Sequence, residues 1–144
     1  MTVLVENWEK GRKRWDTIWL AGDRDKEPGT AFDRIVSREL PAEIVRETAD
    51  MLAFKEFKPA APSHVVLIPK HRNGLSRLQK ATPEHAEILG KLLLMAGDIA
   101  KDEKLGFGPE GARIVIDDGP AAGHDMAHLS MHIIGGRQMI WPPG

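Results

Sequence analysis

Apolar and polar positions alternate along the chain with two periods, and these periods predict several short strands and one long helix. Runs at 43–48 and 51–54 are rich in strand-forming residues, and the short break between them indicates a hairpin. The run 63–69 is apolar throughout and bounded by prolines, which is typical of a buried central strand. Segment 112–117 predicts a further strand, and segment 31–40 predicts a short helix or turn.

The longest periodic segment predicts one amphipathic helix. Thr82 is a favourable N-cap, Pro83 suits the first helical position, and Gly106 is expected to end the helix. Its apolar positions recur with the helical period and are interpreted as core without chemistry. They are Ile88, Leu89, Leu92, Leu93, Ala96, Ile99 and Ala100.

Residues 1–29 are expected to form an extension that is separate from the domain at 30–144. Trp8, Trp15 and Trp19 fall within a narrow arc of a helical wheel, and a polar, glycine-bearing linker follows them. This pattern predicts an amphipathic helix that packs on the protein's own body or on a partner subunit. The alternative is a docking helix for another protein or for a membrane surface.

Composition excludes several classes of function. The 144 residues include no cysteine, which rules out disulfides, thiolate zinc sites and a cysteine nucleophile. A net charge of −1 gives no indication of a nucleic-acid partner. Because no run of 18 apolar residues and no apolar signal core occur, we expect no membrane association and a cytoplasmic location.

Candidate chemistry concentrates near the C-terminus, where His124, His128 and His132 fall close together. A strand over 128–136 would place His128, Ser130 and His132 on one face. The other face would carry Leu129, Met131 and Ile133. A buried strand gains little from two histidines on one face unless they bind or react, so this segment indicates a functional site.

Spacing argues against two simple chemistries. Residues four apart on a strand lie about 13 Å apart, so His128 and His132 could share one ion only by leaning strongly together. We therefore predict no metal. A serine hydrolase is also disfavoured, because Ser130 lies too far from either flanking histidine for a direct hydrogen bond and no Gly-x-Ser-x-Gly motif surrounds it.

The C-terminal sequence HLSMHIIGGRQMIWPPG resembles that of the histidine triad family, which carries alternating histidines followed by Gly-Gly-Arg-Gln-Met and Trp-Pro-Pro-Gly. Segments 31–47 and 52–70 are also similar to the family, so the resemblance covers about residues 30–144. It implies an α+β fold with an antiparallel sheet and one long helix, paired as a homodimer through that helix and a sheet edge. It further implies a purine nucleotide ligand such as AMP and no additional cofactor.

The resemblance also implies a mechanism and a set of site residues. The middle histidine of the triad attacks phosphorus in phosphoramidates and adenylates, and water then releases the nucleoside monophosphate. His128 matches the histidine that orients this nucleophile, His132 the one that contacts phosphate and leaving group, and His64 an additional supporting histidine. The matched nucleotide-binding positions are Phe32, Phe54 and Phe57 for the base, Glu56 for the ribose hydroxyls, Gly123 for the phosphate, and Trp141 in the tail.

Departures from the family pattern fall where the chemistry occurs. Ser130 stands in the place of the nucleophile, and a hydroxyl without a placed base is a poor one. Asp117 replaces an asparagine, and His124 and Asp125 replace a Gln-Ser pair, so carboxylates face the expected phosphate. Two interpretations remain: a hydrolase whose Ser130 is an engineered or paralogue-specific change, or a non-catalytic dimeric scaffold. The several departures favour natural divergence and a pseudoenzyme.

Overall fold

The computed structural model describes residues 30–124 and 126–143. The predicted N-terminal helix and linker at 1–29 lie outside the described residues, as does Asp125. Among the residues described, no helix is long and apolar enough to cross a membrane.

Five antiparallel strands form one sheet in the order β1-β2-β3-β5-β4. The strands are β1 (Ile44–Glu47), β2 (Met51–Lys55), β3 (Ser63–Pro69), β4 (Arg113–Val115) and β5 (Met131–Gly135). The almost wholly buried β3 lies at the centre, as its uninterrupted apolar sequence predicts. The α+β fold class with an antiparallel sheet is thus confirmed.

The predicted hairpin joins β1 and β2. The hydroxyl of Thr48 accepts hydrogen bonds from the backbone N–H groups of Asp50 and Met51, at 3.3 and 3.0 Å. The N–H of Thr48 donates to the carbonyl of Met51 at 2.9 Å. A threonine therefore closes the tight turn by capping the backbone locally.

The long helix, α2, spans Ala86–Ala100 and follows a 3₁₀ turn at Pro83–His85. The expectation that it continues to Gly106 was wrong. Asp102 accepts a hydrogen bond from the N–H of Lys104 and binds Arg46 of β1, which fixes a separate turn after the helix. A tertiary partner therefore ends the helix one turn early.

The sheet has two faces with separate cores. One face packs against α2, whose buried residues are Leu92, Ala96 and Ile99. The predicted stripe is confirmed for these positions, but Leu93 is 60% exposed. The second face packs against the short helix α1 (Ala31–Val36) through a smaller cluster of Ile35, Leu52, Phe54, Val66 and Ile68.

Helix α1 is fixed by a capping box at its N-terminus. The Asp33 carboxylate accepts hydrogen bonds from the backbone N–H and the hydroxyl of Thr30, at 3.0 and 3.2 Å. This box sets the start of α1 and holds it over the second face of the sheet. The same carboxylate lies 3.7 Å from Nδ1 of His128.

Candidate functional site

The register of β3 and β5 brings two histidines together on the face opposite α2. Val66 pairs with His132, and His64 lies two residues from Val66 on the same face. His64 is therefore the diagonal neighbour of His132, close enough for the two rings to meet. Their ring centroids lie 5.1 Å apart.

The strand predicted over 128–136 begins three residues later, at Met131, and ends one residue earlier, at Gly135, so the predicted bounds were wrong at both ends. Segment 126–130 bonds instead to the neighbouring loops: the N–H of Leu129 donates to Leu75 O, and Arg72 Nη1 donates to Ala127 O at 3.2 Å. His128 and the half-buried Ser130 thus lie on the approach to β5 and not within it.

His64 and His132 are joined directly. Nε2 of His64 lies 2.8 Å from Nδ1 of His132, and Nδ1 of His64 accepts a hydrogen bond from the backbone N–H of Ala60 at 3.0 Å. Burial lowers the pKa of His64 below its usual value, and His132 lowers it further, against the opposing charge of Glu56. His64 is accordingly neutral at pH 7.

Glu56 completes a group with the two histidines. The ligand atoms of Glu56, His64 and His132 all lie within 4.8 Å of one another, and all three residues are half-buried. The backbone links them as well, because the N–H of Glu56 donates to His64 O at 3.0 Å. Two nitrogens and a carboxylate at this spacing could bind a metal or could form a hydrogen-bonded relay.

His128 is fully buried and neutral. Its Nε2 donates to Pro69 O at 2.7 Å, and its Nδ1 lies 3.7 Å from Asp33 Oδ1 without a hydrogen bond. Burial lowers the pKa of His128 more than the Pro69 carbonyl and Asp33 raise it. The His128 ring is thus held by the Pro69 carbonyl and closed to solvent.

Aromatic rings form a wall beside the histidines. Phe32 lies 6.0 Å from Phe54 between ring centroids, and Phe54 lies 6.1 Å from Phe57. The ring of Phe32 also meets His128 edge to face at 5.5 Å. Because Phe57 is 58% exposed, the wall opens to solvent at one end. The structure brings these predicted base-binding residues together with the first histidine of the predicted site.

The loop that follows β4 is organised by its own residues. His124 is buried, and its Nδ1 accepts a hydrogen bond from the N–H of Gly119 at 3.3 Å, so this ring holds the loop. Gly123 has a φ of +89°, a conformation that side chains rarely adopt, with open space where a Cβ would stand. Asp117 is half-buried. The register, continued past Val115 and His132, would set Asp117 opposite Ser130.

Trp141 does not reach this site within one chain. It is 82% exposed in a C-terminal tail that Arg113 holds by donating from Nη2 to Ile140 O at 2.8 Å. Sequence reasoning also missed Asp33, which lies beside His128, and Arg72, whose Nη2 lies 3.6 Å from Asp33. The Thr-x-x-Asp capping signal could have identified Asp33 as a cap, although not its reach to His128.

Comparison with known proteins places these features in one family. Residues 37–139 match the HIT domain. The chain is 50% identical over 115 residues to the adenylylsulfatase HINT1 of Arabidopsis thaliana, covering 80% of this chain and 76% of that one. It is 46% identical over 115 residues to a 14 kDa zinc-binding protein of Zea mays, covering 80% and 88%.

A solved structure agrees. A HIT family hydrolase from Legionella pneumophila Philadelphia 1 superposes with a TM-score of 0.74 at 34% identity, covering 81% of this chain and all of that chain. The sheet with its histidine-bearing strands is that of a histidine triad protein. The chain belongs to the HIT domain family, and the resemblance inferred from its sequence is confirmed.

Proposed function

We propose that this chain binds a purine nucleoside monophosphate or a related adenylate on the histidine-bearing face of its sheet. The observation that supports this is that Phe54 and His132 each lie opposite Val66 of β3. The aromatic wall of Phe32, Phe54 and Phe57 and the His64–His132 pair therefore share one face of the sheet. Flat apolar walls next to a few polar groups suit a nucleoside with an anionic tail. The name of the Arabidopsis relative, an adenylylsulfatase, is consistent with an adenylyl ligand.

Roles follow for the surrounding groups. In this proposal the base enters at the exposed end of the aromatic wall, at Phe57. The Glu56 carboxylate accepts hydrogen bonds from the ribose hydroxyls. His132 and the backbone at Gly123 then serve the phosphate. Each assignment is a position-by-position proposal from the family resemblance, supported by the grouping of Glu56 with His132.

Turnover is proposed to be weak or absent. Ser130 stands where the family places the histidine that attacks phosphorus. A serine phosphodiester would also be stable, because an alkoxide leaves far less readily than imidazole, so one reaction would stall the site. Asp117 and Asp125 add charge, and two unit charges about 4 Å apart repel by about 4 kcal/mol at an effective dielectric near 20.

A homodimer is part of this proposal. Leu93 and Leu94 of α2 are 60% and 79% exposed, and Gly90 and Gly97 have open space where a Cβ would stand. At positions i, i+3, i+4 and i+7 these residues lie on one side of α2 and form an apolar strip, which suits close helix pairing. The neighbouring edge strand β4 exposes Ile114 as well, at 41%. A second copy would bury both surfaces.

Calorimetric titration with AMP separates binding from a purely structural role. The parent chain is expected to release heat, and Phe57→Ala is expected to weaken binding about tenfold or more because a ring contact with the base is lost. Leu78→Ala, which removes an exposed leucine outside the wall, should leave binding unchanged. Absence of heat with the parent chain would favour a scaffold that uses the fold without nucleotide.

Release of a fluorescent amine from an adenosine phosphoramidate tests the catalytic part. The parent should be inactive, Ser130→His alone should recover little, and Ser130→His with Asp117→Asn and Asp125→Ser should recover much more. The triple variant restores the nitrogen nucleophile and the neutral donors together. Strong activity of the parent would show that Ser130 does not disable the site, and strong activity of the single variant would show that the carboxylates are harmless.

A further inference from the structure

The backbone around His64 fixes where that ring carries its proton. A peptide N–H can only donate, so the bond from Ala60 N to His64 Nδ1 at 3.0 Å requires a lone pair on Nδ1. The proton of the neutral ring is therefore on Nε2. Its lowered pKa agrees, because a cationic ring would need a second proton on Nδ1, facing the Ala60 N–H.

The tautomer of His64 determines the tautomer of His132 through one short contact. His64 Nε2 lies 2.8 Å from His132 Nδ1, and since His64 Nε2 carries the proton, His132 Nδ1 must accept it. The proton of a neutral His132 is then on Nε2. One peptide group thus sets the tautomer of two successive histidines.

The maize relative is named as a zinc-binding protein, so zinc is the metal to consider for the Glu56–His64–His132 group. The same hydrogen bonds decide whether that group can bind it. The 2.8 Å separation of the two nitrogens is compatible with Zn–N distances of about 2.0–2.1 Å. The proton on His64 Nε2 prevents this. Binding of zinc through Nε2 would remove that proton, while Nδ1 would still accept the hydrogen bond from the Ala60 N–H. The ring would become an imidazolate, so the residues do not fit a zinc ion.

We infer that Ala60, His64 and His132 form a tautomer-locked hydrogen-bond relay, which presents an N–H donor at Nε2 of His132 and excludes zinc from the Glu56–His64–His132 group. His64 is a positioning residue in this relay. The group that the relay can receive is an anionic oxygen, as in a phosphate or sulfate ester. The tautomers follow from the protein alone, so their test is independent of the proposed nucleotide function.

Nitrogen-15 NMR of the ring nitrogens reads the tautomers directly in the full chain. Both His64 and His132 should show an unprotonated Nδ1 and a protonated Nε2 at pH 7.5. His64→Gln keeps an acceptor for the Ala60 N–H and a donor toward His132, and should preserve the Nε2–H form of His132. His64→Leu offers neither and should leave His132 as a mixture of tautomers. An unchanged His132 in the leucine variant would overturn the relay.

The loop offers a second test of the origin of the lock. Ala60→Pro removes the donating N–H and should populate the Nδ1–H form of His64, whereas Ala61→Pro keeps that N–H and serves as the matched control. A His64 that stays wholly in the Nε2–H form in Ala60→Pro would show that the peptide group does not set it.

Zinc titration calorimetry tests the excluded alternative. The parent, Glu56→Gln and His64→Gln should give zinc affinities that agree within about twofold, because none of these residues binds the ion. A loss of tenfold or more in both variants would establish a zinc site and refute the assignment. If NMR shows the proposed tautomers but titration with AMP releases no heat, the relay is supported and only the nucleotide proposal is refuted.

Discussion

Leu94→Ala tests the proposed homodimer at its most exposed apolar side chain. Leu94 is 79% exposed in the single chain and lies on the strip formed with Leu93, Gly90 and Gly97 of α2. In an isolated chain this change should be nearly neutral, since little packing is lost and alanine is the better helix former. In a dimer paired through α2, the same methyl groups would be buried twice, once for each subunit.

The size of the effect follows from the exposed fraction. Full burial of a leucine contributes about 1.5–3 kcal/mol, and scaling by the 79% still exposed gives roughly 1–2.5 kcal/mol for each copy. Two symmetric copies then contribute roughly 2–5 kcal/mol. Since 1.4 kcal/mol is tenfold in an equilibrium constant, the dissociation constant of the dimer should rise roughly 30- to 4,000-fold.

Sedimentation equilibrium of the parent and of Leu94→Ala over a wide concentration range measures this constant. Leu78→Ala is the matched control, because Leu78 is also exposed, at 39%, but lies on a 3₁₀ turn outside α2. Its dimer should be as tight as that of the parent. A monomeric parent at micromolar concentration, or a Leu94→Ala dimer of unchanged affinity, would refute pairing through this helix.

Two further predictions concern stability. Because burial lowers the pKa values of His64 and His128 below the unfolded value of about 6.5, both bind fewer protons when folded, so stability should be complete above that pH and fall as the pH drops below it. Urea denaturation midpoints measured between pH 8 and pH 5 should show this fall in stability. The fall should be smaller in His64→Gln and unchanged in the control variant His71→Gln, whose histidine is exposed. Midpoints that do not change with pH would contradict the lowered pKa values. Asp33→Ala should cost about 1 kcal/mol in urea denaturation through loss of the capping box, and Asp33→Asn less, since its amide oxygen still accepts from Thr30. Equal losses in the two variants would mean that the charge near Arg72, and not the cap, provides the stabilisation.

The elements were predictable wherever local periodicity coincides with burial. Strand β3 and helix α2 have long apolar patterns, and both lie where the patterns predict. The boundaries that failed depend on partners distant in sequence. Arg46 of β1 binds Asp102 after α2, and Leu75 accepts the N–H of Leu129 before β5. The hydrophobic periodicity of a single sequence does not indicate which distant residues will pair.

The site was predictable in its residue types and not in its geometry. The spacing of His128 and His132 indicated function, but it suggested that the two would lie on one face of the same strand. The structure instead pairs His132 with His64, sixty-eight positions away, and buries His128 against Pro69 O. That pairing depends on the register of β3 with β5. His64 was accessible only through the family resemblance, because a lone histidine in an apolar strand has no periodic signal.

The hydrogen bonds of these histidines support the proposal that Ser130 is a poor nucleophile. A serine needs a ring nitrogen with a lone pair to take its proton. Both nitrogens of His64 are engaged, with Ala60 and His132, and His132 Nδ1 accepts from His64. His128 Nε2 donates to Pro69 O, and its Nδ1 is buried facing Asp33. To act as a base, any of these engaged nitrogens would have to give up its hydrogen bond. Leaving a buried hydrogen-bonding group without its partner costs about 1–3 kcal/mol. The arrangement therefore favours holding an anion over activating a hydroxyl.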